Sequence, residues 1–303
     1  MDVDVEALVA GLVQDRPDPA DPVAVAAWMH RTLEVLHTPV YRSRELRAAL
    51  AEDGITDRMG AYLAQRSAPL GPVGAGVVTA TFYGFAPTVV AAHLPGVWDV
   101  VAPERVLART LDAMDTLLGR LLADRADAVA ELLELLRPVA AAHPTVGRPL
   151  AAAWSAVGPT GRPLVDLWLT TCTIRESRGD GHVALLVGEG IGPLASHLLV
   201  TGDRPELRAA LEATRGWSGE ELDATVATLT ADGLLDTDGR RTDRARTLRR
   251  DLERRTDALA APPWEHAAGT IDRIAGRIVE LLPPVLASGA VPPPVLRLLR
   301  PRH

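Results

Sequence analysis

"WSGEELDATVATLTADGLLDTDGRRT", residues Trp217 to Thr242, decides how the last third of this chain folds. Ser218 and Glu221 stand at the S-x-x-E spacing of a capping box, so a helix should open there. Gly233 supplies a C′ residue to end it. "LLDTDGRRT" then reads as a short apolar strand, an Asp238-Gly239 turn, a return strand, and Thr242 as N-cap of a further long helix. Upstream, "GPLASHLLV" and "RPELRAALEATRG" are two more helices. Helix, helix, helix, two-stranded wing, helix is the order of a winged helix-turn-helix, here a unit of about 183–262.

Composition narrows what surrounds it. The chain has 303 residues, 47% hydrophobic and 23% charged, which is ordinary globular composition with ample core. No apolar run approaches the roughly 18–20 residues that span a bilayer. The opening "MDVDVEALVAGLVQDRPDP" is acidic where a secretory signal would be basic, so a cytoplasmic protein is expected. All 32 basic residues are arginine, which removes Schiff-base, pyridoxal phosphate and P-loop lysine chemistry. Cys172 is the single cysteine, so no intrachain disulfide, zinc ribbon or Cys-ligated iron–sulfur cluster forms. The net charge of −7 opposes binding to phosphates unless a local basic patch overrides it.

The rest of the chain reads mostly as helix. Pro22 to Leu36 and Arg44 to Glu52 are apolar-periodic segments, the second ended by Gly54. "SAPLGPVGAG", Ser67 to Gly76, breaks regular structure, and "VVTATFYGF", Val77 to Phe85, is either a helix or a buried strand. A long helix is predicted from Pro103 to about Leu136. "HPTVGRP", His143 to Pro149, is the best linker, dividing the chain into halves 1–146 and 147–303. "AALAEDGI", Ala48 to Ile55, resembles "ALLVGEGI", Ala184 to Ile191. Phe85 to Asp99 can be laid against Trp217 to Asp236 with a few gaps. The expected fold class is therefore mainly α, a winged helix-turn-helix, with two tandem units as a further option that would form a pseudo-dimer around a central cleft.

The run from Thr214 to Trp264 resembles the winged helix of MarR-type regulators. The whole chain is similar to an actinobacterial helix-turn-helix family related to them in fold. Three blocks carry that likeness, over roughly residues 30–265: His37 with Tyr41; Arg66, Ala68 to Val73 and Val78 to Phe85; and Arg175, Glu176 and Arg178 to His182. The resemblance implies a fold and a pocket but no settled reaction.

A winged helix reads DNA through the start of its third helix. Here that start carries Glu220, Glu221 and Asp223, which repel phosphates and acceptor-rich base edges. Arg240, Arg241 and Arg244 on the wing, and Arg246, Arg249 and Arg250 beyond it, read as a solvated face paired with Asp243, Asp251 and Glu253. DNA is not the expected partner.

"RESRGDGHV", Arg175 to Val183, gathers ionisable chemistry between apolar helices. One reading is structural: a helix ends at Gly179, arginines near its end satisfy the last carbonyls, and Asp180 caps a new helix from His182. The other is a pocket wall. Arg175 and Arg178 lie on one helix face and, with Arg66, hold a carboxylate, phosphate or enolate. His182 transfers a proton, and Asp180 or Glu176 orients it. Thr79, Thr81, Phe82, Tyr83 and Phe85 supply an apolar wall with a few hydroxyls, joined by His37 and Tyr41; the aromatic group reads equally as core.

No metal-ligand spacing occurs among the eight histidines, and no cofactor is predicted, although composition leaves room for haem or another pocket-filling group. The preferred expectation is a cofactor-independent enzyme of specialised metabolism, monomer or homodimer. It would perform cyclisation, isomerisation or hydrolysis on a small organic ligand with an anionic or carbonyl group. The alternatives are a ligand-responsive MarR-like regulator and a non-catalytic sequestering protein.

Overall fold

A helix of 26 residues, Pro163–Gly188, lies at the centre of a computed structural model that describes residues 4–299. The outer ends of the two expected halves, 1–3 and 300–303, fall outside the described residues. Around this central helix pack Pro22–His37, Pro103–Leu122, Ala126–Ala142, Pro149–Ala156 and Asp243–Ala260. Its first half is buried on every side: Val165, Leu167, Trp168, Leu169, Cys172 and Ile174 are covered, and so are Asp166, Thr170, Thr171 and Thr173. A helix without a polar stripe must be surrounded, and this one is.

The expected stop at Gly179 and restart at His182 do not occur. The helix continues through both glycines, although each costs roughly 1 kcal/mol against alanine. Gly181 answers a crowding problem: a Cβ there would sit 2.6 Å from Nη1 of Arg148, which donates to the Ser177 carbonyl. The glycine lets a neighbour approach and turns nothing.

Side-chain caps open several of the helices, and a proline in the first turn opens many others. Asp21 accepts from the amides of Val23 and Ala24, Ser43 from Leu46, and Asp57 from Gly60. "VVTATFYGF" resolves as helix, Ala75–Phe82. The single helix expected from Pro103 to Leu136 is instead two, Pro103–Leu122 and Ala126–Ala142. No single described helix is long and apolar enough to cross a membrane.

The apolar packing falls into two clusters. The larger runs from Leu12 to Leu299 and takes in the first half of the central helix. Leu136, Val139, Leu150 and Trp154 all belong to it, so the boundary expected at 146/147 lies inside one core. His143, in the expected linker, is buried edge-on against Trp264. The smaller cluster, Leu186 to Leu252 with Ala86, is built by Pro193–Thr201, Pro205–Arg215, Gly219–Ala231 and the start of Asp243–Ala260. Both bonds of the Ser218–Glu221 capping box are present, and Thr242 caps the last of these helices. In place of two strands there is one antiparallel bridge, Leu235 to Arg241. The Asp236 carboxylate accepts from the amides of Asp238 and Arg240, adding to the backbone bonds Asp236 N–H to Arg240 O and Thr242 N–H to Leu234 O that close the turn. The segment aligned with this unit, Phe85 to Asp99, contains only the short helices Pro87–Ala91 and Val97–Val100.

The smaller cluster docks on the N-terminal half at one point. The Gly84 carbonyl accepts from His197 Nε2 (3.0 Å) and Trp217 Nε1 (3.1 Å), and the Ala86 amide donates to the Arg215 carbonyl (2.9 Å). Tyr83 sits at φ 58°, a conformation that costs a non-glycine residue about 1–3 kcal/mol, and its hydroxyl donates to the Ile191 carbonyl. Gly216, at φ 74°, faces Val89 so closely that a Cβ would come within 2.6 Å of its side chain. Gly216→Ala combines backbone strain with that clash. It is expected to lower stability by about 1–3 kcal/mol in urea unfolding followed by Trp fluorescence.

Candidate functional site

The second half of the central helix carries Arg175, Glu176, Arg178 and Asp180 into the interior, and each is answered by a different element. Glu176 is 1% exposed. Its carboxylate is held by Arg175 (Nη1–Oε1 2.6 Å) and by Arg66 (Nη2–Oε2 3.2 Å), which lies in the last turn of Arg58–Ser67. Arg175 also binds Glu34 (Nε–Oε1 2.9 Å) from Pro22–His37. Arg178 turns to the opposite neighbour and pairs with Asp257 and Glu253 of Asp243–Ala260, both at 2.8 Å. Asp180 accepts the Ala151 amide (3.0 Å), so it caps the exposed N-terminus of Pro149–Ala156 from outside that helix.

These contacts set the ionisation of each group. Burial pushes the Glu176 carboxyl up, but Arg175 and Arg66 together outweigh it and hold the group at about 2. Burial also acts on Asp180, assisted by the Glu176 charge. The amides of Ala151 and Leu150 oppose it only in part, and the carboxyl is pushed up to about 6. Burial lowers Arg175, yet Glu176 and Glu34 reverse this and raise it well above its ordinary value.

Between the segments lies a cavity of about 110 Å³. Arg66, Thr81 and Phe82 form one side; Arg175, Glu176, Arg178, Gly179, Asp180 and Val183 form the other. The Arg66 guanidinium lies 4.2 Å from the Phe82 ring centroid, and its Nε is buried without a hydrogen-bond partner among the described residues. Two blocks separated by about a hundred residues in sequence thus share one space.

Other residues expected at the site lie elsewhere. His182 does not line the cavity. Its Nδ1 is 2.9 Å from Thr256 Oγ1, and because that hydroxyl donates to the Leu252 carbonyl, the imidazole must be the donor. Burial lowers the His182 pKa, and Arg178 and Arg249 add to the effect against Glu253. Tyr83 turns to the docking contact with Ile191, Thr79 is partly buried away from the cavity, and Phe85 is core beneath Tyr62 and Arg215. His37 is buried between Cys172 (3.3 Å) and the Tyr41 hydroxyl (2.9 Å), and burial keeps it neutral. Tyr41 faces a second, larger cleft. Sequence reading missed Glu34, whose signal was a carboxylate between Leu33 and Val35 in the apolar-periodic segment Pro22 to Leu36, and Tyr62 and Gln65, which share a helix with Arg66.

A model of a helix-turn-helix family matches residues 26–292. The chain belongs to that helix-turn-helix family. No curated protein and no solved structure gives a significant match. The match covers both walls of the cavity, the smaller cluster and most of the larger one, so it is not confined to the short unit after Pro193.

Two outcomes test the electrostatics of this helix-turn-helix protein. Glu176→Ala strands Arg66 and Arg175 without their shared carboxylate and is expected to cost about 3–5 kcal/mol in chemical denaturation. Asp180 is raised in the folded state from 3.8 to about 6, so its contribution is fully present below pH 3.8 and is lost as pH rises through 6. The stability of the wild type relative to Asp180→Asn should therefore fall between pH 4 and 6. A flat difference across that range would show that Asp180 titrates normally.

Proposed function

We propose that the protein binds a small organic acid or carbonyl compound in the Arg66–Asp180 cavity and performs cofactor-independent proton transfer on it. The observation that carries this reading is the meeting of the two blocks around one polar–apolar space. There the Arg66 Nε has no partner among the described residues, and burial pushes the Asp180 carboxyl up to about 6. Groups with shifted pKa values in a cavity are candidates for acid–base work. Asp180 takes the role first expected of His182: it lines the cavity, and its raised pKa lets it exchange a proton near neutral pH. Arg66 and Arg175 offer guanidinium N–H groups to a developing oxyanion, and Phe82 and Val183 supply the apolar surface. A water occupies about 30 Å³ of liquid, so the space holds a small ligand or the reactive head of a larger one.

Hydrogen exchange tests this without a named substrate. In D2O, a panel of small carbonyl compounds and carboxylates is followed by proton NMR for exchange of C–H hydrogens. Exchange of at least one compound is expected with wild type and with His182→Ala, and Asp180→Asn should slow it about 10²–10⁴-fold. Exchange that survives in Asp180→Asn would remove Asp180 from the mechanism.

A second reading, a ligand-responsive regulator, is favoured by the family and by the order of elements from Pro193 to Ala260, which we read as a winged helix of MarR-like plan. The tandem pseudo-dimer is not part of this proposal, since Phe85 to Asp99 folds differently from its aligned partner. Against DNA reading stand Glu220, Glu221 and Asp223 at the start of Gly219–Ala231. Nearby arginines are also engaged within the unit: Arg208 with Asp203 and Asp223, Arg244 with the Asp232 carbonyl, and Arg249 with Glu253. A low-salt gel shift on the gene's own upstream DNA is expected to show no binding; a discrete complex would favour the regulator.

A further inference from the structure

The proposed chemistry leaves unused a cleft of about 550 Å³, within the range of small-molecule sites. One wall is formed by Arg44–Glu52 and Arg58–Ser67, and the other by the last turn of Pro205–Arg215. Leu46, Leu50, Ile55 and Met59 make its sides apolar. Tyr41 and Tyr62 present aromatic surface, their ring centroids 5.3 Å apart.

Two independent features point to an occupant. Gln65, only 3% exposed, lines the cleft, and its Oε1 has no hydrogen-bond partner among the described residues. A buried acceptor left unpaired costs about 1–3 kcal/mol, and a ligand N–H or O–H would satisfy it. The charge around the cleft is also one-sided. Arg47, Arg58 and Arg215 line it, and no carboxylate among the described residues lies within ion-pair distance of any of them. Arg215 rests on the Phe85 ring at 4.3 Å and otherwise reaches only the Thr214 carbonyl at 3.4 Å. The single carboxylate on the lining, Asp57, is already engaged with the Gly60 amide (2.6 Å) and His93 (3.5 Å).

We propose that this cleft binds an amphipathic organic anion: a flat apolar body against Leu50, Tyr41 and Tyr62, one donor to Gln65 Oε1, and an anionic group held by Arg215 with Arg47 and Arg58. Because the walls come from the N-terminal half and from Pro205–Arg215, the ligand spans the junction between the two apolar clusters. This site is separate from the Asp180 cavity and does not depend on chemistry there.

Anilinonaphthalene sulfonate has the required parts: fused aromatic rings, an anilino N–H and a sulfonate. Fluorescence titration of the full chain is expected to show one saturable site. Two variants at exposed positions leave the core alone. Ala213→Trp plugs the mouth, and the double Arg47→Glu, Arg58→Glu reverses the rim charge; each should weaken the dye at least about tenfold, while Arg250→Glu on the distant face leaves it unchanged. Near-UV circular dichroism confirms that each variant keeps wild-type tertiary structure. Gln65→Leu should weaken a dye with the anilino N–H more than an analogue in which that nitrogen is methylated. No saturable binding to the wild type, or equal affinity in the plugged and charge-reversed variants, overturns the proposal. Loss of proton exchange in Asp180→Asn with dye binding intact keeps the two sites distinct.

Discussion

A buried carboxylate shared by two guanidinium groups holds the rest of this molecule in place. Glu176 lies on the inner face of the central helix, and neither Arg66 nor Arg175 can be withdrawn from it without leaving a charge in a low-dielectric interior. Arg66 comes from Arg58–Ser67 and Arg175 reaches on to Glu34 of Pro22–His37, so one carboxylate fixes three helices relative to one another. Replacing such a cluster by apolar groups can be neutral for stability, whereas removing one member is not. The cluster therefore acts more on which arrangement forms than on how stable it is, and the arrangement it selects contains the cavity.

The same feature explains what the sequence showed and what it hid. Capping residues are local, and Ser218, Glu221 and Thr242 all cap where their spacing says they should. "RESRGDGHV" was legible as a place where ionisable groups meet a distant aromatic block, because so many charges in apolar surroundings need partners. Its backbone was misread. Two glycines among polar residues look like a turn, yet the helix runs through both, and Gly181 leaves room for the Arg148 guanidinium. The direction of His182 was equally hidden. Its partner Thr256 lies 74 residues away, and nothing local distinguishes it from Asp180. The break at Ala123 to Arg125 inside an expected single helix has no glycine or proline to announce it.

Membership of a helix-turn-helix family describes a shape, and partners are decided by the chemistry on that shape. In a DNA reader, basic side chains stand free to replace counterions on phosphates. Here Arg208, Arg249 and Arg255 are paired with carboxylates of their own chain, and Arg241 reaches back to the Leu199 carbonyl. The pairing is incomplete: burial lowers the Arg241 pKa and nearby Arg246, Arg249 and Arg204 add to the effect, and Arg204 has no carboxylate partner among the described residues. Guanidinium groups without carboxylate partners among the described residues also line the cleft of Arg47, Arg58 and Arg215.

Two titratable groups six residues or fewer from Glu176 are driven in opposite directions, and the direction bears on which can move a proton. Burial lowers His182 and raises Asp180, so each loses its charged form for the same physical reason. A neutral imidazole bonded to Thr256 and turned from the cavity keeps its proton on Nδ1 to satisfy that hydroxyl. The Asp180 carboxyl, pushed up to about 6 on the cavity wall, has both forms within reach of neutral pH, and the Ala151 amide holds it in one orientation. The bond that secures the start of Pro149–Ala156 therefore also orients the carboxyl on which the proposed proton transfer rests, so helix stability and that proposal depend on the same oxygen pair.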